Sequence, residues 1–257
     1  MISLFRKIRQ KLLQQNQVTR YLIYALGEII LVVIGILIAL QVNNWNENRK
    51  NQNTEQVLLK ALLQEFESNL EILDQAITLN DSNIARGLKL GELTGPSLPD
   101  GIGEKDLSEL MVGVFKSEPR FFPNQGTIEE IINTGRLTIF SDLALRKAIS
   151  AWKADLDLVK NQEEYVVKRR DLAHEFFLKN GNFRRHLDLI EEGLIKVPPS
   201  RFPDNDFKFL ENQEFESQLF LFLTASENLN QNYYFPLRDK IQSLIQQVKD
   251  ELNSNPD

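Results

Sequence analysis

The sequence predicts an all-α protein: one N-terminal transmembrane helix followed by an extracytoplasmic antiparallel helical bundle. Three observations carry that expectation. Residues 21–40 read YLIYALGEIILVVIGILIAL, twenty almost wholly apolar residues; as a helix they span about 30 Å, enough to cross a bilayer core. The Val, Ile and Thr alternations typical of strands are nearly missing from the rest. Long segments instead place apolar residues at helical three- and four-residue steps.

The elements follow in order. Residues 1–20 form a basic tail with Arg6, Lys7, Arg9, Lys11 and Arg20 and no acidic residue. Short positive segments stay in the cytoplasm, so the N-terminus is expected inside and everything beyond about residue 41 outside the cytoplasm. Residues 4–13 (LFRKIRQKLL) place apolar and basic groups at helical spacing, suited to an anionic leaflet. The span 21–40 reads as an uncleaved anchor. A signal peptide has an apolar core of about 7–15 residues followed by a small-x-small site, and the residues after Ala39 do not supply one. Trp45 on one side, with Tyr21 and Tyr24 on the other, suits the two interfaces.

Glu28 lies about 10 Å into the span. An intramembrane carboxylate is costly and turns toward protein or water. Tyr24, Val32, Gly35 and Ala39 share its face, and Gly35 with Ala39 makes a small-xxx-small pair. This stripe is a candidate transmembrane contact, with Glu28 protonated or hydrogen-bonded there. The plainer reading is a shallow Glu28 that draws water and a Gly35 of ordinary membrane composition.

Residues 41–53 are expected as a polar linker, and 54–253 as the helical domain. From Thr54, Leu59, Leu63, Phe66, Leu70, Leu73, Ile77, Asn80, Ile84 and Leu88 form one stripe, a helix to about Leu90. Gly91–Glu104 reads as a loop, 105–115 as a short helix, SEPRFFPNQG as irregular, and 127–134 as a short helix closing at Gly135. Ser141-Asp142 starts a long helix. Its stripe steps 4, 3, 4, 3 through Leu145, Ile149, Trp152, Leu156, Val159, Glu163, Val166, Arg170, Ala173 and Phe177, ending near Asn180-Gly181. A short helix at 183–194 and the loop VPPSRFPDND follow. The last helical region, 212–253, carries Leu219, Leu223, Ser226, Asn230, Tyr233, Leu237, Ile241, Leu244 and Val248, with a kink or break expected at Pro236. Residues 254–257 are a frayed tail.

Polar residues interrupt these stripes: Asn80, Glu163, Arg170, Ser226, Asn230 and Tyr233. With the long helices running up, down, up, Glu163 and Asn230 fall about 20–25 Å above the base and Asn80 higher. Such a layer is a ligand pocket, a self-satisfied network that fixes register, or the place where the seam turns to solvent. Phe121 and Phe122, with Pro123, are a candidate docking knob.

Chemistry leaves little trace. The chain has no cysteine, which removes disulfides and thiolate sites. His174 and His186, twelve residues apart, match no metal pair and are expected in surface or packing roles. GxSxG, GxxxxGK[ST] and GxGxxG are absent. No enzyme activity, cofactor or metal is expected. The net charge is −6, and the part beyond the basic tail is more acidic still, which argues against nucleic acid. Expected partners are the lipid bilayer and a membrane or envelope protein, with a second copy of the chain among the candidates.

The segments FRKIRQKLL, YALGEIILVVIGILIALQVNNWNE and PNQGTIEEIINTGRLTIFSDLALRKAI (123–149) resemble a family of uncharacterised single-pass membrane proteins of Bacteroidota. The resemblance covers most of the chain and is weakest toward the C-terminus. It implies an inner-membrane protein of a Gram-negative cell with a periplasmic C-terminal domain, and no functional residue transfers from it. The leading expectation is a non-enzymatic protein-interaction or envelope-complex module. The alternative is a periplasmic ligand-sensing bundle that signals through a partner membrane protein.

Overall fold

The computed structural model describes residues 18–98, 101–190 and 195–254, with side chains from Leu22 onward. The expectations for the basic tail 1–17, for the side chain of Tyr21, for 191–194 of the 183–194 helix and for residues 255–257 lie outside them. The described residues are mainly helical and contain no strand.

Helix α1 runs Val18–Gly91, 74 residues without interruption. The polar linker expected at 41–53 is helical. The reason is local: QVNNWNENRKNQN contains neither Gly nor Pro. Each Asn costs only a few tenths of a kcal/mol relative to Ala, and extending an existing helix is far easier than nucleating a new one. The chain separates into two compact units, one up to Val57 and one from Leu58. In the first unit the large apolar residues from Leu22 to Leu40 are exposed, Leu31 at 71 %. This stretch is long and apolar enough to cross a membrane.

In the second unit, α2 (Glu104–Phe115) starts with Glu104 and Asp106 in its first turn, where acids suit the helix dipole. An irregular strap, 116–125, leads to α3 (Gly126–Asn133). Gly135 then takes φ 69, a left-handed conformation that glycine adopts without strain, before a tight turn at Arg136–Ile139. Helix α4, Leu143–Asn180, begins where the Asp142 carboxylate accepts the Ala144 N–H. Helix α5 is short, Phe183–Leu189, and the backbone is extended at Ile190. Helix α6, Gln213–Leu229, is capped by Asn212. It passes through a π turn, Asn230–Tyr234, into α7, Phe235–Ser254. Of the kink or break expected at Pro236, the break does not occur: helix continues through it, with a departure from α geometry in the π turn just upstream. A wider turn just upstream, closed by the Phe235 N–H donating to Asn230 O, accommodates a residue that lacks an N–H and clashes with the carbonyl four residues back.

Paired residues give the directions. Along α1, Asn80, Asp74 and Glu67 meet Asn230, Arg238 and Lys249 in turn, so α6–α7 run antiparallel to α1. Along α4, Phe176, Glu163 and Asp155 meet Phe215, Tyr234 and Lys240, again antiparallel. Helices α1 and α4 are thus parallel, with Phe66 and Trp152 packed edge-to-face at 5.4 Å. The up, down, up order is corrected for a physical reason. The chain between α1 and α4 descends alongside α1, as Asn83, Asn69 and Glu65 meet Ser117, Asn124 and Thr127 in turn. One core joins these elements and includes Leu59, Leu62, Phe66, Trp152, Phe222 and Ile241.

Candidate functional site

Helix α1 carries Glu65, Asn69, Asn80 and Asn83 on the face that is buried in the core, each at 9 % exposure or less. Buried polar groups must find partners. Three of them find the backbone of the strap and of the α3 start. Asn83 donates to Ser117 O at 3.1 Å. Asn69 donates to Asn124 O and accepts from its N–H, at 2.8 and 2.7 Å. Glu65 accepts the Thr127 and Ile128 N–H groups, capping α3, whose own N-cap Gln125 contributes no side-chain bond. From the other side, Glu163 on α4 accepts the Phe121 N–H at 2.7 Å. A segment with no regular ladder of its own is thereby satisfied from two helices.

The expected polar layer divides into two clusters. In the first, Asn80 donates to Ser226 O and to Asn230 Oδ1, both at 2.8 Å, and Asn230 donates to Asp81 at 2.7 Å. Asn80 is therefore level with Asn230 rather than above it, as parallel α1 and α4 require. In the second, Glu163 Oε1 accepts from the Tyr234 hydroxyl at 2.6 Å as well as from Phe121. The tyrosine here is Tyr234, fully buried; Tyr233 is half-buried. The π turn adds one residue per turn and shifts the inward position by one. Arg170 joins neither cluster: it pairs with Glu118 of the strap at 3.1 Å and with Asp171. Burial raises the Glu163 carboxyl above its ordinary value; the Tyr234 and Phe121 bonds and the Arg120 charge pull it back down. Burial also raises the Tyr234 phenol, which stays protonated and donates.

The docking knob is corrected. Phe121 is 6 % exposed and packs in the core, while Phe122 is 73 % exposed. Glu163 holds the Phe121 backbone, and the alternation of an extended strap sends the next side chain outward. The transmembrane stripe Tyr24, Glu28, Val32, Gly35 and Ala39 is exposed along α1. A Cβ at Gly35 would meet open space, so nothing within this chain calls for a glycine there.

Both histidines pack. His174 stacks on Phe115 at 5.1 Å. His186 is fully buried, edge-on to Phe177 at 4.5 Å, with Nδ1 2.6 Å from Ser108 Oγ. The Ser108 hydroxyl donates to Glu104 O, so Nδ1 carries the proton. Burial lowers the His186 imidazole to about 4, against an opposing pull from Glu104. With the folded value below the unfolded one, stability tied to His186 is complete above pH 6.5 and is lost as pH falls toward 4. In a proton NMR titration, the His186 ring signals should stay fixed down to about pH 5. A midpoint near 6.5 would place the ring in water.

Three surface hollows lie along α4, and none of the three is lined by Asn80, Glu163, Ser226 or Asn230. Asn80, Glu163 and Asn230 bond instead to neighbouring helices and to the strap.

These features define an all-helical protein with one candidate membrane-spanning stretch and a helical unit braced by buried polar side chains. The chain belongs to DUF6090, a family of unknown function, which it matches over residues 28–189. No curated protein and no solved structure matches it.

Proposed function

We propose that this is a single-pass inner-membrane protein whose C-terminal unit is an antiparallel helical bundle in the periplasm, serving as a non-enzymatic protein-interaction or envelope-complex module. One observation carries the membrane reading. From Leu22 to Leu40, α1 exposes an apolar surface on every side, which water does not tolerate over such a length and a bilayer does. The basic residues before it and the mixed charges after it support an N-terminus inside the cell. The interaction reading is supported by buried polar groups turned inward to bracing and by Phe122, which the braced strap holds out to solvent.

The absence of cysteine allows a direct test of topology. The full-length protein should remain in the membrane fraction after carbonate extraction. A cysteine replacing exposed Lys179 should react with an impermeant maleimide on intact spheroplasts, and one replacing Ser3 only after lysis. The reverse pattern would invert the topology, and release by carbonate would remove the span. For the interaction, cross-linked native membranes should yield a near-stoichiometric envelope partner whose recovery falls in Phe122→Ser. Equal recovery with that variant would exclude the strap as the contact.

A further inference from the structure

Through the α6–α7 junction the inward-facing residues are Ser226, Asn230, Tyr234, Leu237 and Ile241, stepping 4, 4, 3, 4. The two consecutive fours contain the extra residue of the π turn. The same stretch admits a second solution. Ser226, Asn230, Tyr233, Leu237 and Ile241 step 4, 3, 4, 4, which moves the extra residue about one turn toward the C-terminus. Both solutions keep Ser226 and Ile241 in place. Only the choice of tyrosine changes.

We propose that the π turn at Asn230–Tyr234 is a migrating bulge that moves toward Pro236 and exchanges Tyr234 for Tyr233 as the hydroxyl partner of Glu163.

Three features support it. First, the two candidate donors are identical side chains adjacent in sequence, so Glu163 keeps its bond in either register. Second, Tyr233 is already half-buried, in a hollow it shares with Leu158, Pro236 and Lys240. Third, Pro236 has no N–H, so a bulge passing it gives up a hydrogen bond that the helix never had. The flanking helices stay pinned by Phe215, Leu219 and Phe222 on one side and Leu244 and Val248 on the other. The motion is then a local shift on the microsecond-to-millisecond scale of helix register changes. Glu163 Oε1 accepts from both Tyr234 and Phe121, so the bulge and the strap that presents Phe122 share one atom.

The test is fluorine NMR of the full-length protein in detergent micelles, labelled with 3-fluorotyrosine. There are five tyrosines, assigned by single Tyr→Phe variants. The deciding variant is Tyr234→Phe, which keeps the ring volume and removes only the present donor. It should raise the population with Tyr233 inward about tenfold, the worth of one good hydrogen bond. The Tyr233 signal should then move toward the buried position of Tyr234 in the wild type, while that of Tyr165 stays fixed. In the wild type, saturation transfer should report one exchange rate and one minor population for Tyr233 and Tyr234 together. A Tyr233 signal that does not move in Tyr234→Phe, in a protein whose Tyr165 signal is unchanged, overturns the proposal. So does exchange at only one of the two tyrosines.

Discussion

Replacing Glu163 with Leu should lower stability by about 3 kcal/mol, because two buried donors, the Phe121 N–H and the Tyr234 hydroxyl, lose their only acceptor at once. Replacing it with Gln should cost less than about 1 kcal/mol, since the amide oxygen can accept both bonds. The pH dependence separates these roles further. Burial raises the folded-state pKa of Glu163 above the ordinary 4.5, so the folded state holds that proton more tightly than the unfolded chain does. The associated stability is therefore complete below 4.5 and declines as pH rises through the raised value. Glu163→Gln carries no such proton. Thermal unfolding of the full-length protein in detergent should show the Gln variant gaining on the wild type as pH rises from 4 to 7. A Gln variant that loses ground over that range would mean that the strap and Tyr234 require the ionised carboxylate.

The helix inventory was legible because its signals are local. Asp142 caps α4, Gly135 stops α3 in a left-handed turn, and Gly181 ends the long stripe. Those features need only a few neighbouring residues. The continuity of α1 was not legible, because a run of Asn looks like a linker while costing a helix little. The π turn was hidden for a sharper reason: the pattern Asn230, Tyr233, Leu237 is the better fit to an ideal helix, and nothing local to the sequence marks Tyr234 as the buried tyrosine. The bracing of the strap was hidden because a polar residue within an apolar stripe looks like an interruption of the core. Leu62, Phe66, Asn69, Leu73, Ala76, Asn80 and Asn83 step 4, 3, 4, 3, 4, 3. Asparagines in phase with a core stripe, opposite an irregular Pro-containing segment, were the available signal. The two-phenylalanine knob failed on the same point, since nothing in the sequence reveals that Glu163 holds the Phe121 backbone.

Trp152→Ala should be the most destabilising single substitution in the core, by about 3–5 kcal/mol, with Tm falling roughly 10–15 °C. The indole is 1 % exposed and packs edge-to-face against Phe66 on the parallel α1, so truncation opens a void between the two helices whose contact is set by tertiary packing alone. Trp152→Phe isolates the packing contribution. The indole Nε1 is buried with no hydrogen-bond partner. Removing it orphans no acceptor and relieves an unpaired donor, so the cost reduces to the smaller void, about 1–2 kcal/mol. Differential scanning fluorimetry of the full-length protein orders the three proteins. If Phe cost as much as Ala, the indole N–H would be making a bond that matters, and Trp152 would belong with the buried polar groups rather than the core. The contrast with Glu163 is the physical point. At Glu163 the polar atoms carry the stability and the shape is replaceable, whereas at Trp152 the shape carries it and the polar atom is dispensable.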